Sequence, residues 1–292
     1  MVKRVILEPE KTPGIKVESI LNRGIVIISR LTDEVTGESW VQKKVLDLPD
    51  NHALFGGLYH DKEARKRLRR EFEVMKKLSG CPNIAEVYDH QFLDAPGEKG
   101  ISILAMEELF SSPNGSVPIQ GKPFFKYVVG VCNSLDSMKA KGIVNRDVKP
   151  KNVLYNLNQD PKLFDFDWCK DYSDISSFFR SASGAPTGTK WYRSPEQQRM
   201  EDLDYKTDTY SAALTMYEIT TGRIASSVMF MEDFEEDVER CNERHVNKLR
   251  PRLVEIYSED YADIFLRALN PEREKRDIDS LKKISLEMLA RG

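Results

Sequence analysis

The chain has 292 residues, 40% of them hydrophobic and 31% charged, with a net charge of -3. That is enough apolar material for one large domain or two lobes. The balanced charge excludes a general nucleic-acid binder or a membrane-surface protein, so neither nucleic acid nor membrane is expected as a partner. Cys81, Cys132, Cys169 and Cys241 lie far apart without metal-ligand or redox spacing, which points to a reduced intracellular protein, cytoplasmic or nuclear. The N-terminal MVKRVILEPEK turns charged before an apolar core of signal-peptide length forms. No apolar run is long enough to span a bilayer.

In chain order, Ile20 to Ser29 is β-rich, Thr36-Gly37 marks a turn, and Trp40 to Leu46 reads as the next strand. From Lys62 to Leu78 the propensity is helical, with Leu68, Phe72, Met75 and Leu78 on one face. Ile101 to Met106 is a short apolar strand, and the turn-rich SSPNGSVP after it divides the chain. Phe124 to Ala140 is a helix burying Val128, Val131, Leu135 and Met138. Asp208 to Thr221 is a second, more apolar helix, and further helices are expected over 232–250, 258–269 and 278–290. A small β-rich lobe followed by a larger helical lobe is an α+β arrangement.

Three later segments carry the chemistry: Val144-Asn145-Arg146-Asp147-Val148-Lys149-Pro150-Lys151-Asn152 in a loop after a long helix, Phe164-Asp165-Phe166-Asp167, and Gly188-Thr189-Lys190-Trp191-Tyr192-Arg193-Ser194-Pro195-Glu196. In this order and spacing they make the chain resemble the eukaryotic-type serine/threonine protein kinases over nearly its whole length. The resemblance implies a bilobal α+β fold, with an N-lobe over 1–110 and a C-lobe over 111–292. It implies Mg²⁺ and ATP, a protein substrate, and a regulatory protein as a second partner.

Residue by residue, the resemblance makes Asp147 the group that orients the acceptor hydroxyl and takes its proton. Lys149 steadies the γ-phosphate and favours the serine/threonine class. Asn152 and Asp165 are the Mg²⁺ ligands, in keeping with the preference of hard cations for oxygen. The ATP lysine is Lys43 or Lys44. The ungapped reading from Thr36-Gly37-Glu38 favours Lys43, which shares a strand face with Val41, the adenine wall. Its glutamate partner is Glu71, with Glu73 as the alternative. Met106 is the gatekeeper, Glu107 and Leu109 offer backbone groups to adenine, and Leu154 opposes Val41 across the purine. Asp208 holds the catalytic loop, or else is a carboxylate at a helix N-terminus. Glu196 and Arg276 form a structural ion pair. Arg70, Arg146 and Lys170 match a phosphate pocket, with Ser181, Ser183 and Thr187 as acceptors inside the chain. Thr189 and Lys149 imply Ser or Thr acceptors, and Arg193 suggests proline after the acceptor.

The departures from the pattern are specific. Leu21, Arg23 and Val26 stand where the resemblance calls for glycines, with only Gly24 nearby, so backbone N–H groups approach phosphates less easily. Asn145 replaces a histidine, and Asp167 replaces a glycine. A catalytically inactive scaffold is the rival reading, and a kinase-fold small-molecule phosphotransferase is a third.

Overall fold

β-Branched residues are frequent in the early strands and favour extended backbone; the strand Ser39–Val45 alternates part-buried with buried positions over Ser39–Lys43, and the strand Ser102–Met106 is buried throughout. The computed structural model describes residues 9, 12–23, 26–45, 61–92, 102–111, 118–172, 187–225 and 238–291. The chain divides into two compact units, residues 1–80 with 85–109 and residues 81–84 with 110–292.

The first unit holds strands β1 (Ile15–Arg23), β2 (Val26–Asp33) and β3 (Ser39–Val45), helix α1 (Asp61–Lys77), and strands β4 (Val87–Gln91) and β5 (Ser102–Met106). The strands form one antiparallel sheet in the order β1-β2-β3-β5-β4. β1 starts five residues before the expected Ile20. Leu31, Trp40 and Ala105 form a small core, with Ile15 and Tyr88 packed against it. The β2–β3 turn is built as the sequence requires: Asp33 accepts from the Val35 and Thr36 amides at 2.8 and 3.1 Å, and Gly37 takes a φ of 72°. In α1, Leu68 and Met75 are buried along with Phe72, and Leu78 is buried just past the helix end.

The second unit is mainly helical. It contains α2 (Lys122–Ala140), β6 (Ile143–Val144), β7 (Val153–Tyr155), β8 (Pro161–Leu163), β9 (Lys170–Asp171), α3 (Pro195–Gln198), α4 (Tyr205–Thr221), α5 (Val238–Ile256), α6 (Glu259–Ala268) and α7 (Asp279–Ala290). β6 pairs with β9, and β7 with β8. Nearly every residue of α4 from Thr207 onward is buried, so α4 forms the axis of this unit. α4 starts at Tyr205, three residues before the expected Asp208, because Asp204 caps it through the Lys206 amide at 2.8 Å. α5 runs past the expected end at 250 with Pro251 in its interior. Proline costs this helix one hydrogen bond, but Leu249 and Leu253 are both fully buried and hold the segment helical. On α2, Gly130 lets the β7–β8 hairpin lie close: a Cβ there would stand 2.3 Å from Pro161 Cγ and 2.9 Å from Asn83 Nδ2. Among the described residues no helix is long and apolar enough to cross a membrane.

Candidate active site

In the first unit, β3 alternates its side chains, which places Val41 and Lys43 on one face. Of the two adjacent lysines it is Lys43 whose Nζ meets Glu71 Oε2, at 2.7 Å. Glu71 is buried on the same α1 face as Phe72 and Met75, whereas Glu73 is exposed. Met106 ends β5 and is buried. The Glu107 amide donates to the Glu86 carbonyl at 2.8 Å. This narrows the expectation for the backbone of Glu107: a purine there would have to use its carbonyl rather than its N–H. Glu108 is engaged by Arg30 at 2.5 Å. Leu109 ends this unit. Arg70 lies half-buried on α1 beside Glu71. Leu21, Arg23 and Val26 lie on β1 and β2, with Arg23 and Val26 as cross-strand partners. Gly24 lies outside the described residues.

In the second unit, the loop after β6 is held from several sides. Both Asp208 oxygens accept backbone amides, Oδ2 from Asn145 at 2.6 Å and Oδ1 from Arg146 at 2.8 Å. Asp204 does the capping of α4, so Asp208 serves the loop. Burial pushes the Asp208 carboxyl up to about 7, against the pull of those two amides. Asn145 is buried, accepts from the Asp147 amide at 3.0 Å and donates to Cys169 Sγ at 3.6 Å. In place of a histidine's apolar face, its amide thus braces the backbone at Asp147. Arg146 takes a φ of 70°, a sparsely populated region for a non-glycine residue.

Asp147 is buried, and both carboxylate oxygens are used. Oδ1 accepts from the Thr189 amide and hydroxyl, each at 2.7 Å. Oδ2 accepts from Lys149 Nζ at 2.5 Å. Lys149 also donates to Thr189 Oγ1 at 2.9 Å. Asn152 directs its Nδ2 at the Asp147 carbonyl, 3.0 Å away. That bond uses the amide nitrogen and leaves Oδ1 as the atom that could coordinate a cation. The Phe164 amide donates to the Asn152 carbonyl at 3.0 Å and ties the segment carrying Asp165 to the loop. Asp165 has a φ of 64°, and Phe166 beside it is fully buried. An amide oxygen and a carboxylate on two tethered segments are a donor set suited to Mg²⁺, which takes few protein ligands.

Leu154 lies on β7, paired with Lys162. Lys170, on β9, pairs with Val144, and its pKa is lowered by burial and by the neighbouring Arg146. Arg146 Nε donates to the Trp168 carbonyl at 2.6 Å. Of the three cations expected to receive a phosphate, this unit brings Arg146 and Lys170 near enough to repel each other. Ser181 and Ser183 lie outside the described residues, and Thr187 is half-buried. Arg276 meets Glu196 with two parallel bonds, 2.6 and 2.8 Å. Burial pushes the Glu196 carboxyl up, but the guanidinium outweighs it and holds the group below the ordinary glutamate range. Arg193 wraps the Gly188 carbonyl with two donors at 2.9 and 2.7 Å. Tyr192 is bonded to Glu218. Sequence reasoning passed over Gln197; the Ser194-x-x-Gln197 spacing is a legible capping box, but the partners of its amide are distant in sequence.

A family model for the protein kinase domain matches residues 57–281, more than half of the chain. The chain belongs to the protein kinase family. This chain is 32% identical over 171 residues to a protein named as a probable serine/threonine-protein kinase in Corynebacterium efficiens, covering 57% of the chain and 26% of the relative. It is 31% identical over 161 residues to the serine/threonine-protein kinase PknB of Mycolicibacterium smegmatis, covering 53% and 25%. It is 28% identical over 217 residues to the Aurora kinase of Saccharomyces cerevisiae, covering 73% and 54%. The chain thus spans about a quarter of the length of these bacterial relatives.

Proposed function

We propose that this chain is an active serine/threonine protein kinase that transfers the γ-phosphoryl of ATP, with Mg²⁺, to a protein hydroxyl. The observation that carries the reading is the Asp147–Lys149–Thr189 cluster, in which a buried carboxylate is oriented by three donors. Phosphoryl transfer needs positioning and cancellation of negative charge more than covalent help. In this reading Asp147 orients the acceptor hydroxyl and takes its proton, and Lys149 supplies charge at the transferred group. Asn152 and Asp165 would hold the metal, which when bound supplies charge neutralisation between phosphate oxygens. Lys43, kept extended by Glu71, would bind phosphate, while Val41, Leu154 and the backbone of Glu107 and Leu109 would receive adenine. The lobes of this reading are 1–110 and 111–292, which differ from the two compact units at residues 81–84 and at Phe110, and a regulatory protein would be a further partner. Arg70, Arg146 and Lys170 would receive a phosphate on the chain's own segment, with Thr187 as acceptor alongside Ser183.

Radiolabelled phosphate transfer from ATP and Mg²⁺ to a generic protein substrate tests this. The wild-type chain should label serine or threonine, and Asp165→Asn should not. Absence of transfer, with no thermal stabilisation by millimolar ATP and Mg²⁺, would favour the inactive scaffold that the glycine-poor Leu21, Arg23 and Val26 stretch suggests. Ligand at 100 times its Kd would stabilise the fold by about 2.7 kcal/mol.

A further inference from the structure

Arg146 is the residue immediately before Asp147, and its left-handed backbone decides where Asp147 points. Such a conformation costs about 1–3 kcal/mol and persists only where its surroundings over-determine it. Asp208 holds the Arg146 amide, at 2.8 Å. The carbonyl on the other side of the same residue is held by Gln197, whose Nε2 donates to it at 2.9 Å. The same Nε2 reaches the Thr187 carbonyl at 3.3 Å. Gln197 Oε1 accepts from the Ser194 amide at 3.1 Å, and the side chain is buried. One amide group therefore joins the loop before Asp147, the residue before Gly188-Thr189, and the start of α3.

Gly188 completes the arrangement. A Cβ at that position would stand 2.3 Å from the Arg146 carbonyl oxygen and 3.0 Å from Gln197 Nε2. With a φ of 80°, Gly188 is also in the region that side chains resist. The missing side chain lets two backbone segments meet where Gln197 bonds both.

We infer that Gln197 is a positioning residue for phosphoryl transfer: its amide N–H latches the Arg146 carbonyl, with Gly188 leaving the room, and so fixes Asp147 against Thr189. The proposal rests on the kinase reading above. A displacement of the reacting groups by 1 Å costs up to about a hundredfold in rate, so the latch has leverage on kcat without touching substrate.

Gln197→Glu isolates the effect. It keeps the acceptor that caps Ser194 but replaces the donor aimed at Arg146 with an oxygen. Gln197→Met, which keeps the volume and loses both, is the second variant if the first fails to fold. Ser194→Ala removes a hydroxyl that accepts from the Gln197 amide and leaves the latch in place. For both Gln197 variants kcat should fall by about tenfold to a hundredfold with KM for ATP unchanged, and hydrogen exchange at the Arg146 and Asp147 amides should quicken. Ser194→Ala should do neither. Wild-type kcat in a folded Gln197 variant, or a lowered kcat with unchanged exchange at both amides, overturns the proposal. If the wild-type chain itself transfers no phosphate, the kinase reading has failed, and the exchange measurement alone decides the latch: quickening at the two amides upholds it, and no change removes it.

Discussion

Among the described residues each unit contains one buried glutamate facing one cation, and the two pairs are built differently. Lys43 and Glu71 share a single 2.7 Å contact, and the lysine side chain keeps 15% of its surface in solvent. Arg276 and Glu196 share two bonds, both side chains are essentially inaccessible, and the guanidinium also donates to the carbonyls of Lys206, Asn270 and Pro271. Thr207 adds its hydroxyl to Glu196 at 2.9 Å. Arginine's planar fork fits such a saturated site, and a lysine's point charge on a flexible stem fits a position that, under the proposed function, would also meet a phosphate. The contrast separates a pair saturated from every side from one left with room for a further partner.

The sharpest way to break this contrast is to remove each cation. Arg276→Ala strands a buried carboxylate and should cost about 3–5 kcal/mol in urea unfolding. Lys43→Met should cost less, about 1–3 kcal/mol, yet abolish transfer in the radiolabel assay. Equal losses of stability would erase the distinction. Next in size is Asp208→Asn, which presents an amide N–H₂ to one of the two backbone N–H groups it now accepts and should cost about 1–3 kcal/mol.

Asp208 and Glu196, two of the buried carboxylates of the second unit, should also respond oppositely to pH. Asp208 titrates higher in the folded chain than in the unfolded one, so it adds stability as pH falls from about 7 towards the ordinary aspartate value of about 4. Glu196 is held low, so its contribution is present above the ordinary glutamate value and is lost as pH falls through the folded value. Unfolding midpoints across this range should show the wild type gaining on Asp208→Asn as pH falls; a constant difference would contradict the raised carboxyl. The smallest effect is expected for Lys44→Met, within about 0.5 kcal/mol and with transfer intact. A transfer defect there would shift the β3 reading by one residue.

Local chemistry was legible in the sequence, and tertiary choice was not. The 3.6-residue spacing of Leu68, Phe72 and Met75 announces α1 because burial of that face is what forms it. The Asp147, Lys149 and Asn152 cluster is legible because all three lie within six residues. The extent of α5 was misread because Pro251 is a local stop signal, while Leu249 and Leu253 are anchored by packing that no local window contains. The Glu107 amide, committed to Glu86, depends on a neighbouring segment 21 residues away. Gln197 is not legible because glutamine after a helix cap reads as capping, whereas its side-chain N–H₂ reaches carbonyls 10 and 51 residues upstream.

Gly130 sets a clearance. With Pro161 and Asn83 already within contact distance of the space a methyl would take, alanine at this position would act as a shim between α2 and the hairpin. A shim is felt at whatever the hairpin carries, and β7 begins at Val153, directly after Asn152. A substitution on the hairpin-facing side of α2, touching no charged group, would thus be transmitted as a small displacement of the Asn152 amide, which makes the clearance around one α-hydrogen a tolerance of the loop that carries Asp147.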